Sequence, residues 1–347
     1  YYLKKAGYRV AMQGKRHIAP LEAFPFEYLS GDYKNLNIPD LELFIADVAV
    51  KKQAFFLYLA SNDPHSPWTR GNRSLFDAEK LTLPPTLVDT KETRKNYANY
   101  LAEINQLDTD VGKIDALIKK YNLDENTVFI FTSEQGHQFP FAKWTCYDAG
   151  VHSACIVRWP GVVKPGSVSD ALVEYVDIVP TFVDIIGGKP QAKVDGESFK
   201  PVLTGKKKAH KKYSFSLQTT RGINAGSPYY GIRSVYDGRY RYIVNLTPEA
   251  TFQNVETKSP LFKEWKRLAE TDSHAKAMTT KYQHRPAIEL YDVKNDPYCM
   301  KNLAEDAKQA STISRLDKEL KRWMKDCGDE GQPTEMRAFE HMPGKRK

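Results

Sequence analysis

The sequence predicts an α/β protein: a mostly parallel sheet between helices, followed by a smaller α+β subdomain with an antiparallel sheet. Three observations predict it. Residues 55–60 (FFLYLA) and 127–132 (TVFIFT) are short, continuously apolar runs, as expected of strands buried on both faces. Between them Tyr97, Leu101, Ile104, Leu107, Val111, Ile114 and Leu117 recur at steps of three and four, an amphipathic helix ending near Lys120. Strand, helix, strand is a βαβ crossover and so gives two parallel strands. Further on, Asp237-Gly238 separates residues 230–236 from 239–245, a strong hairpin-turn signal.

The other elements follow in order. Residues 1–7 read as the last turn of a helix stopped at Gly7, and residues 8–12 as a strand. With no initiator Met, such an opening is expected of a chain cut from a longer one, any signal peptide lying upstream. A fourth strand spans 154–158, and Asp177 is expected to cap a helix that tolerates Pro180 in its first turn and closes at Gly187-Gly188. Residues 288–293 add a strand. Ile313, Leu316, Leu320, Trp323 and Met324 give one face of a last helix stopped at Gly328. The expected division is a catalytic domain over 1–205 and a subdomain over 206–347.

Composition narrows the class. The 347 residues are 41% hydrophobic and 27% charged, and no apolar stretch approaches the roughly 20 residues of a membrane helix. A formal charge of +8 favours polyanionic partners, whether glycan, nucleic acid or anionic surface. The densest basic run, residues 206–212, holds no aromatic side chain to stack a base, so it is read as a solvated linker, and so is Gly344 to Lys347. Four cysteines without a C-x-x-C pair argue against a zinc site or a disulfide framework, and Cys155 is expected to be a small buried thiol.

Polar clusters follow three of the strands: Gly14-Lys15-Arg16-His17, then residues 62–67 (NDPHSP), then Glu134-Gln135-Gly136-His137, with residues 141–145 (FAKWT) close behind. Any one of them is as readily a solvated loop. Jointly, lysines, histidines, a carboxylate and an amide at the ends of parallel strands would converge on one crevice, a costly burial without a ligand that uses them.

These clusters resemble the type I sulfatases of the alkaline phosphatase superfamily. Gly7-Tyr8-Arg9 with Gly14-Lys15-Arg16-His17 is similar to the family's A-G-Y-x-T…G-K-W-H, and residues 63–67 (DPHSP) to its D-P-H-x-P. Residues 133–136 (SEQG) stand where the family has S-D-N-G. Residues 143–150 (KWTCYDAG) followed by 156–161 (IVRWPG) resemble K-x-x-x-Y-E-x-G…I-V-R-W-P-G, and residues 289–304 the C-terminal E-L-Y-D-L…D-P…N-L-A.

The resemblance implies an alkaline phosphatase-like fold, a formylglycine nucleophile made from the cysteine or serine of C/S-x-P-S-R, and a calcium ion orienting the sulfate. Position by position, Lys15 would hold the formylglycine hydrate and His17 would take the proton that expels sulfate. His65 would protonate the leaving sugar oxygen, and Lys143 would clamp a sulfate oxygen. Glu134 and Gln135 would be calcium ligands, each one methylene longer than the family's Asp-Asn pair. His137 is assigned a substrate contact. In the subdomain, residues 219–222 (TTRG) and 229–234 (YYGIRS) lie just before and within the hairpin, and the Y-Y-x-x-R pattern together with residues 323–329 (WMKDCGD) resembles the branch of heparan N-sulfatases and bacterial polysaccharide sulfatases. Arg221 or Arg233 is expected to meet a uronate or sulfate, with Arg233 equally readable as a pair across the hairpin.

No cysteine or serine here lies in C/S-x-P-S-R, and the family's paired N-terminal aspartates have no counterpart. The expectation is therefore a truncated sulfatase, inactive as it stands, whose nucleophile and remaining calcium ligands lie upstream. Its partner is a sulfated oligo- or polysaccharide, its setting periplasmic or secreted. A glycan-binding pseudosulfatase and a related phosphodiester or phosphonate ester hydrolase are the alternatives.

Overall fold

A computed structural model describes residues 1–31, 35–189, 194–223 and 225–341. In chain order the first elements are α1 (Tyr2–Lys5), β1 (Arg9–Gly14), β2 (Glu27–Tyr28), α2 (Ile38–Val50), β3 (Phe55–Ala60), α3 (Lys91–Lys120), β4 (Phe129–Thr132), α4 (Asp148–Val151), β5 (Cys155–Arg158), α5 (Ile178–Ile185) and α6 (Lys200–Leu203). There follow β6 (Ser214–Gln218), β7 (Ile232–Tyr236), β8 (Tyr240–Asn245), α7 (Pro260–Leu268), α8 (Ser273–Gln283), β9 (Ile288–Asp292), α9 (Ala310–Asp326) and α10 (Gln332–Met336). They form two compact units. The first comprises Tyr1–Phe76, Ala98–Phe131 and Cys155–Lys211; the second comprises Asp77–Tyr97, Thr132–Ala154 and the chain from Lys212 onward. Residues 77–97 and 132–154 thus group with the C-terminal stretch, where the linear division had put them with residues 1–205.

The first unit is built on a parallel sheet of order β2-β1-β3. Six residue pairs, from Arg9↔Phe55 to Gly14↔Ala60, hold β1 and β3 in register. Helix α2 is their crossover. Asn37 caps it by accepting the Asp40 N–H at 3.3 Å, Pro39 sits in its first turn, and Leu41, Phe44, Ile45 and Val48 are buried beside Ala11, Ile114, Leu117 and Ile118. Burying each such side chain contributes roughly 1.5–3 kcal/mol before the entropy of ordering it. The strand-helix-strand pattern predicts that β3 and β4 are parallel members of one sheet; in the structure β3 pairs with β1, and β4 pairs with β5 in a separate two-stranded sheet.

That small sheet also corrects Cys155, which is exposed, next to Ile156 at 64% exposure. An apolar run at an edge strand lacks the second covered face that the prediction assumed. Asp177 is a further correction. It stands before α5 but does not cap it; fully buried, its carboxylate accepts the Glu174 and Glu197 N–H groups and pairs with Lys211 at 2.8 Å. The basic run is therefore solvated over Lys206 to Lys208 and at Lys212, while Lys211 between them is anchored to Asp177 and Glu174. The stretch from Gly344 to Lys347 lies outside the described residues.

The second unit carries an antiparallel sheet of order β6-β7-β8-β9. The Asp237-Gly238 turn joins β7 to β8, with Gly238 at φ +93° and Asp237 accepting the Arg239 and Tyr240 N–H groups. Helix α9 lays Leu316 and Leu320 on Val235, Tyr242 and Leu290 of the sheet. Strand β6 and helices α7 and α8 complete this unit. Among the described residues no helix is long and apolar enough to cross a membrane.

Candidate functional site

In the first unit the register of β1 with β3 brings Lys15, His17 and His65 to the same end of one sheet. Gly14 has φ +92°, and a Cβ there would lie 2.2 Å from the Ala60 carbonyl oxygen, so only glycine lets the strands end this closely. The Lys15 N–H then donates to that carbonyl at 2.7 Å. Gln13, 1% exposed, is held by Ser30 and Asn37. Lys15 is half-buried and His17 exposed.

His65 lies five residues beyond β3, half-buried, with Nδ1 2.6 Å from the Ser66 carbonyl oxygen. A carbonyl only accepts, so Nδ1 carries a hydrogen and Nε2 is the nitrogen that gains or loses a proton. Two residues earlier Asp63 is buried, its carboxyl pushed up to about 6 by desolvation against the opposing pull of Arg70 at 3.2 Å. A cleft of about 410 Å³ runs along Asn35, Asn37, Arg70, Gln106, Asp110 and Lys113.

In the second unit Glu134, Gln135, His137 and Lys143 occupy one loop. It is stitched to α4 and to the chain just after it: Ser133 N–H donates to Ala154 O at 3.3 Å, Ala154 N–H to Ser133 Oγ at 2.9 Å, and Gly136 N–H to Gly150 O at 3.2 Å. A Cβ on Gly136 would lie 1.7 Å from the Ala149 carbonyl oxygen, which is why this turn needs glycine. Lys143 N–H donates to His137 O at 2.9 Å and closes the loop, while Phe141 and Trp144 adopt φ of +70° and +67°. The Lys143 ammonium lies 5.0 Å from the Trp144 ring centroid.

Desolvation pushes the His137 imidazole down to about 4, and its Nδ1 accepts the Phe139 N–H at 3.3 Å. It is a neutral ring with its hydrogen on Nε2. Glu256, which no motif had marked, accepts from Gln138 at 2.9 Å. Burial raises its carboxyl, opposed by Gln138, Ser259 and the charge of Lys143.

The two arginines part company. Arg221 is half-buried, its guanidinium 4.5 Å from the Phe339 ring, beside a recess of about 510 Å³ lined also by Ser227 and Pro228. Arg233 is corrected as a substrate contact: it is 2% exposed and bound to Asp329 at 2.5 Å, with Glu335 at 4.0 Å. The cross-hairpin alternative does not describe it either, since Asp329 follows α9. Burial alone would raise the Asp329 carboxyl, but Arg233 and the Gly331 N–H outweigh it and hold it below the usual range.

Glu134 is exposed and Gln135 half-buried. Both offer the oxygen donors calcium takes, yet calcium needs six to eight. Among the described residues no group of three or more His, Cys, Asp or Glu side chains could hold a metal ion. The pair can only be part of such a site.

The amino-acid sequence itself matches a known family. The sulfatase family profile matches residues 1–188, and the profile for the C-terminal part of N-sulphoglucosamine sulphohydrolase matches residues 136–278. The chain belongs to the sulfatase family. It is 30% identical over 341 residues to an ulvan-active sulfatase of Formosa agariphila, spanning 94% of this chain but only 64% of that protein's length. Human N-sulphoglucosamine sulphohydrolase is 25% identical over 376 residues, with 94% of this chain and 73% of that protein covered. Among solved structures, BT4656 in complex with its substrate D-glucosamine-2-N,6-O-disulfate shares the fold at a TM-score of 0.67 and 18% identity, over 95% of this chain and 82% of that one.

Proposed function

We propose that the protein to which these residues belong hydrolyses sulfate groups, O- or N-linked, from a sulfated saccharide. The observation that carries this reading is the Gly14↔Ala60 register, which sets Lys15, His17 and His65 at one end of a parallel sheet in a chain of the sulfatase family. The names of the relatives support a sulfated glycan as substrate.

When present, a formylglycine hydrate would supply the attacking hydroxyl, and a calcium ion would supply positive charge to the sulfate oxygens. Since no cysteine or serine here lies in C/S-x-P-S-R, that nucleophile would come from outside these 347 residues, which alone are expected to lack turnover. Lys15 would hold the hydrate, with His17 accepting a proton. His65 Nε2 donates a proton to the departing sugar oxygen, and Lys143 offers its ammonium to a sulfate oxygen. Glu134 and Gln135 would hold the calcium ion in part, through their side-chain oxygens. Neutral His137 contacts substrate as a hydrogen-bond partner only, and Arg221 meets an anionic group of the sugar from beside its recess.

The test is turnover of a sulfated saccharide by the full-length protein, with and without chelator. Chelation abolishes activity, and His65→Ala and Lys143→Ala each lower kcat by at least about 10²-fold. Undiminished turnover in either variant would remove that residue from the mechanism. Saccharide binding without any turnover would make the protein a glycan-binding relative.

A further inference from the structure

We propose that Arg70 and Glu103 are positioning residues for His65, clamping the loop from Ser61 to Gly71 onto α3 so that the imidazole keeps a single attitude. This rests on the reading of His65 as the proton donor, and every residue involved belongs to the first unit.

The loop contains neither helix nor strand up to Gly71, so its backbone donors need partners from elsewhere. Glu103 of α3, 2% exposed, supplies them: one carboxylate oxygen accepts the Thr69 N–H at 2.7 Å and the Arg70 N–H at 3.0 Å. Charge-assisted bonds of this kind are roughly twice as strong as neutral ones. Gly71 presses on the same helical turn. Its φ is +76°, and a Cβ there would lie 2.1 Å from the Ala102 carbonyl oxygen.

The Arg70 side chain ties the other end of the loop. Its guanidinium reaches back to Asp63, whose side chain is 1% exposed, at 3.2 Å. The same group bonds the Asn35 amide oxygen and faces Asp110 of α3 at 4.0 Å, where Lys113 also pairs with Asp110 at 3.0 Å. Three segments thus meet on one guanidinium. His65 sits between the two tied points, two residues after Asp63 and four before Thr69. Within the loop Asp63 N–H donates to Ser61 Oγ at 3.0 Å, and the Ser66 carbonyl fixes the ring tautomer. A planar fork can hold Asp63, Asn35 and Asp110 together, whereas an ammonium cannot match that geometry.

If the clamp serves proton donation, its loss must depend on how much the leaving group needs a proton. In the full-length protein, Arg70→Lys and Glu103→Gln are compared with His65→Ala on a saccharide sulfate and on the sulfate ester of an acidic nitrophenol. The clamp variants are expected to lose about 10²-fold in kcat on the saccharide, with KM little changed, and less than about threefold on the nitrophenyl ester, because a displacement of about 1 Å costs that much in a positioned proton transfer. Equal losses on both esters, or none, overturn the proposal. Loss of this selectivity in His65→Ala itself overturns instead the reading of His65.

A second measurement needs no turnover. In the 347-residue chain labelled with ¹⁵N-histidine, Arg70→Lys and Glu103→Gln should shift or broaden the His65 ring signals while leaving those of His274 in place and the chain folded. Unmoved His65 signals in both variants sink the clamp even if the protein proves to have no activity.

Discussion

At neutral pH the His137 ring holds no charge, so it offers hydrogen bonding and no positive charge to any anion nearby. The same shift has a consequence for stability. The folded-state value of about 4 lies below the ordinary imidazole value of 6.5, so as pH falls the unfolded chain takes up the proton first. The contribution of a neutral His137 is fully present above about pH 6.5, is lost progressively toward pH 4, and changes no further below that. Urea midpoints measured from pH 7.5 to 4 should therefore fall less steeply in His137→Gln than in the wild type, and identical slopes would contradict the shift. Arg233 makes the opposite point about single residues. Its Y-Y-x-x-R setting suggested an outward anion site, but its charge is consumed by Asp329 inside the subdomain. A charge in a strand cannot be assigned to a face until the partner arriving from a distant segment is known.

At the scale of elements, the turn that carries Glu134 and Gln135 depends on Gly136. Any side chain there must move the Ala149 backbone, because a Cβ would sit 1.7 Å from its carbonyl oxygen. Gly136→Ala is expected to cost about 1–3 kcal/mol and to free the Gly136 N–H from Gly150. Faster hydrogen exchange at Gly136 and a lower thermal midpoint would report it, and an unaltered midpoint would mean α4 yields more easily than its packing suggests. Other elements differ in how openly the sequence displays them. Strand β3, the body of α3, the β7-β8 hairpin and α9 follow apolar periodicity and turn chemistry closely. Helix α2 was legible too, from Asn37, Pro39 and the spacing of Leu41, Phe44, Ile45 and Val48, although only β1 and β3 beside it were read. Strand β6 and the amphipathic α7 were likewise passed over. In β6, residues 214–218 (SFSLQ) alternate as a half-buried strand should, in the shadow of the basic run.

For the molecule as a whole, the charge of +8 and the exposed stretch from Lys206 to Lys208 predict attraction to sulfated polymer that salt weakens. The Debye length shrinks from about 10 Å at 0.1 M salt to about 3 Å at 1 M, so retention on an immobilised sulfated polysaccharide should collapse over that range. A neutral polysaccharide should not retain the chain at either salt, and retention insensitive to salt would place the affinity in short-range contacts instead. Because the chain spans 64% of the Formosa agariphila relative, the activity of the whole protein is best tested at full length.

The sequence by itself determined the family and the α/β class, and it marked Lys15, His17, His65, Glu134, Gln135 and Lys143 as candidates, because short motifs and apolar periodicity are written in neighbouring residues. Only the tertiary structure decided that β3 pairs with β1, that Arg233 is internal, that Cys155 is exposed, and that Arg70 and Glu103 hold the His65 loop. Each of those depends on groups 30 or more residues apart, or on which face of a strand is covered. Local spacing does not encode which distant carboxylate meets a guanidinium or backbone N–H; packing does.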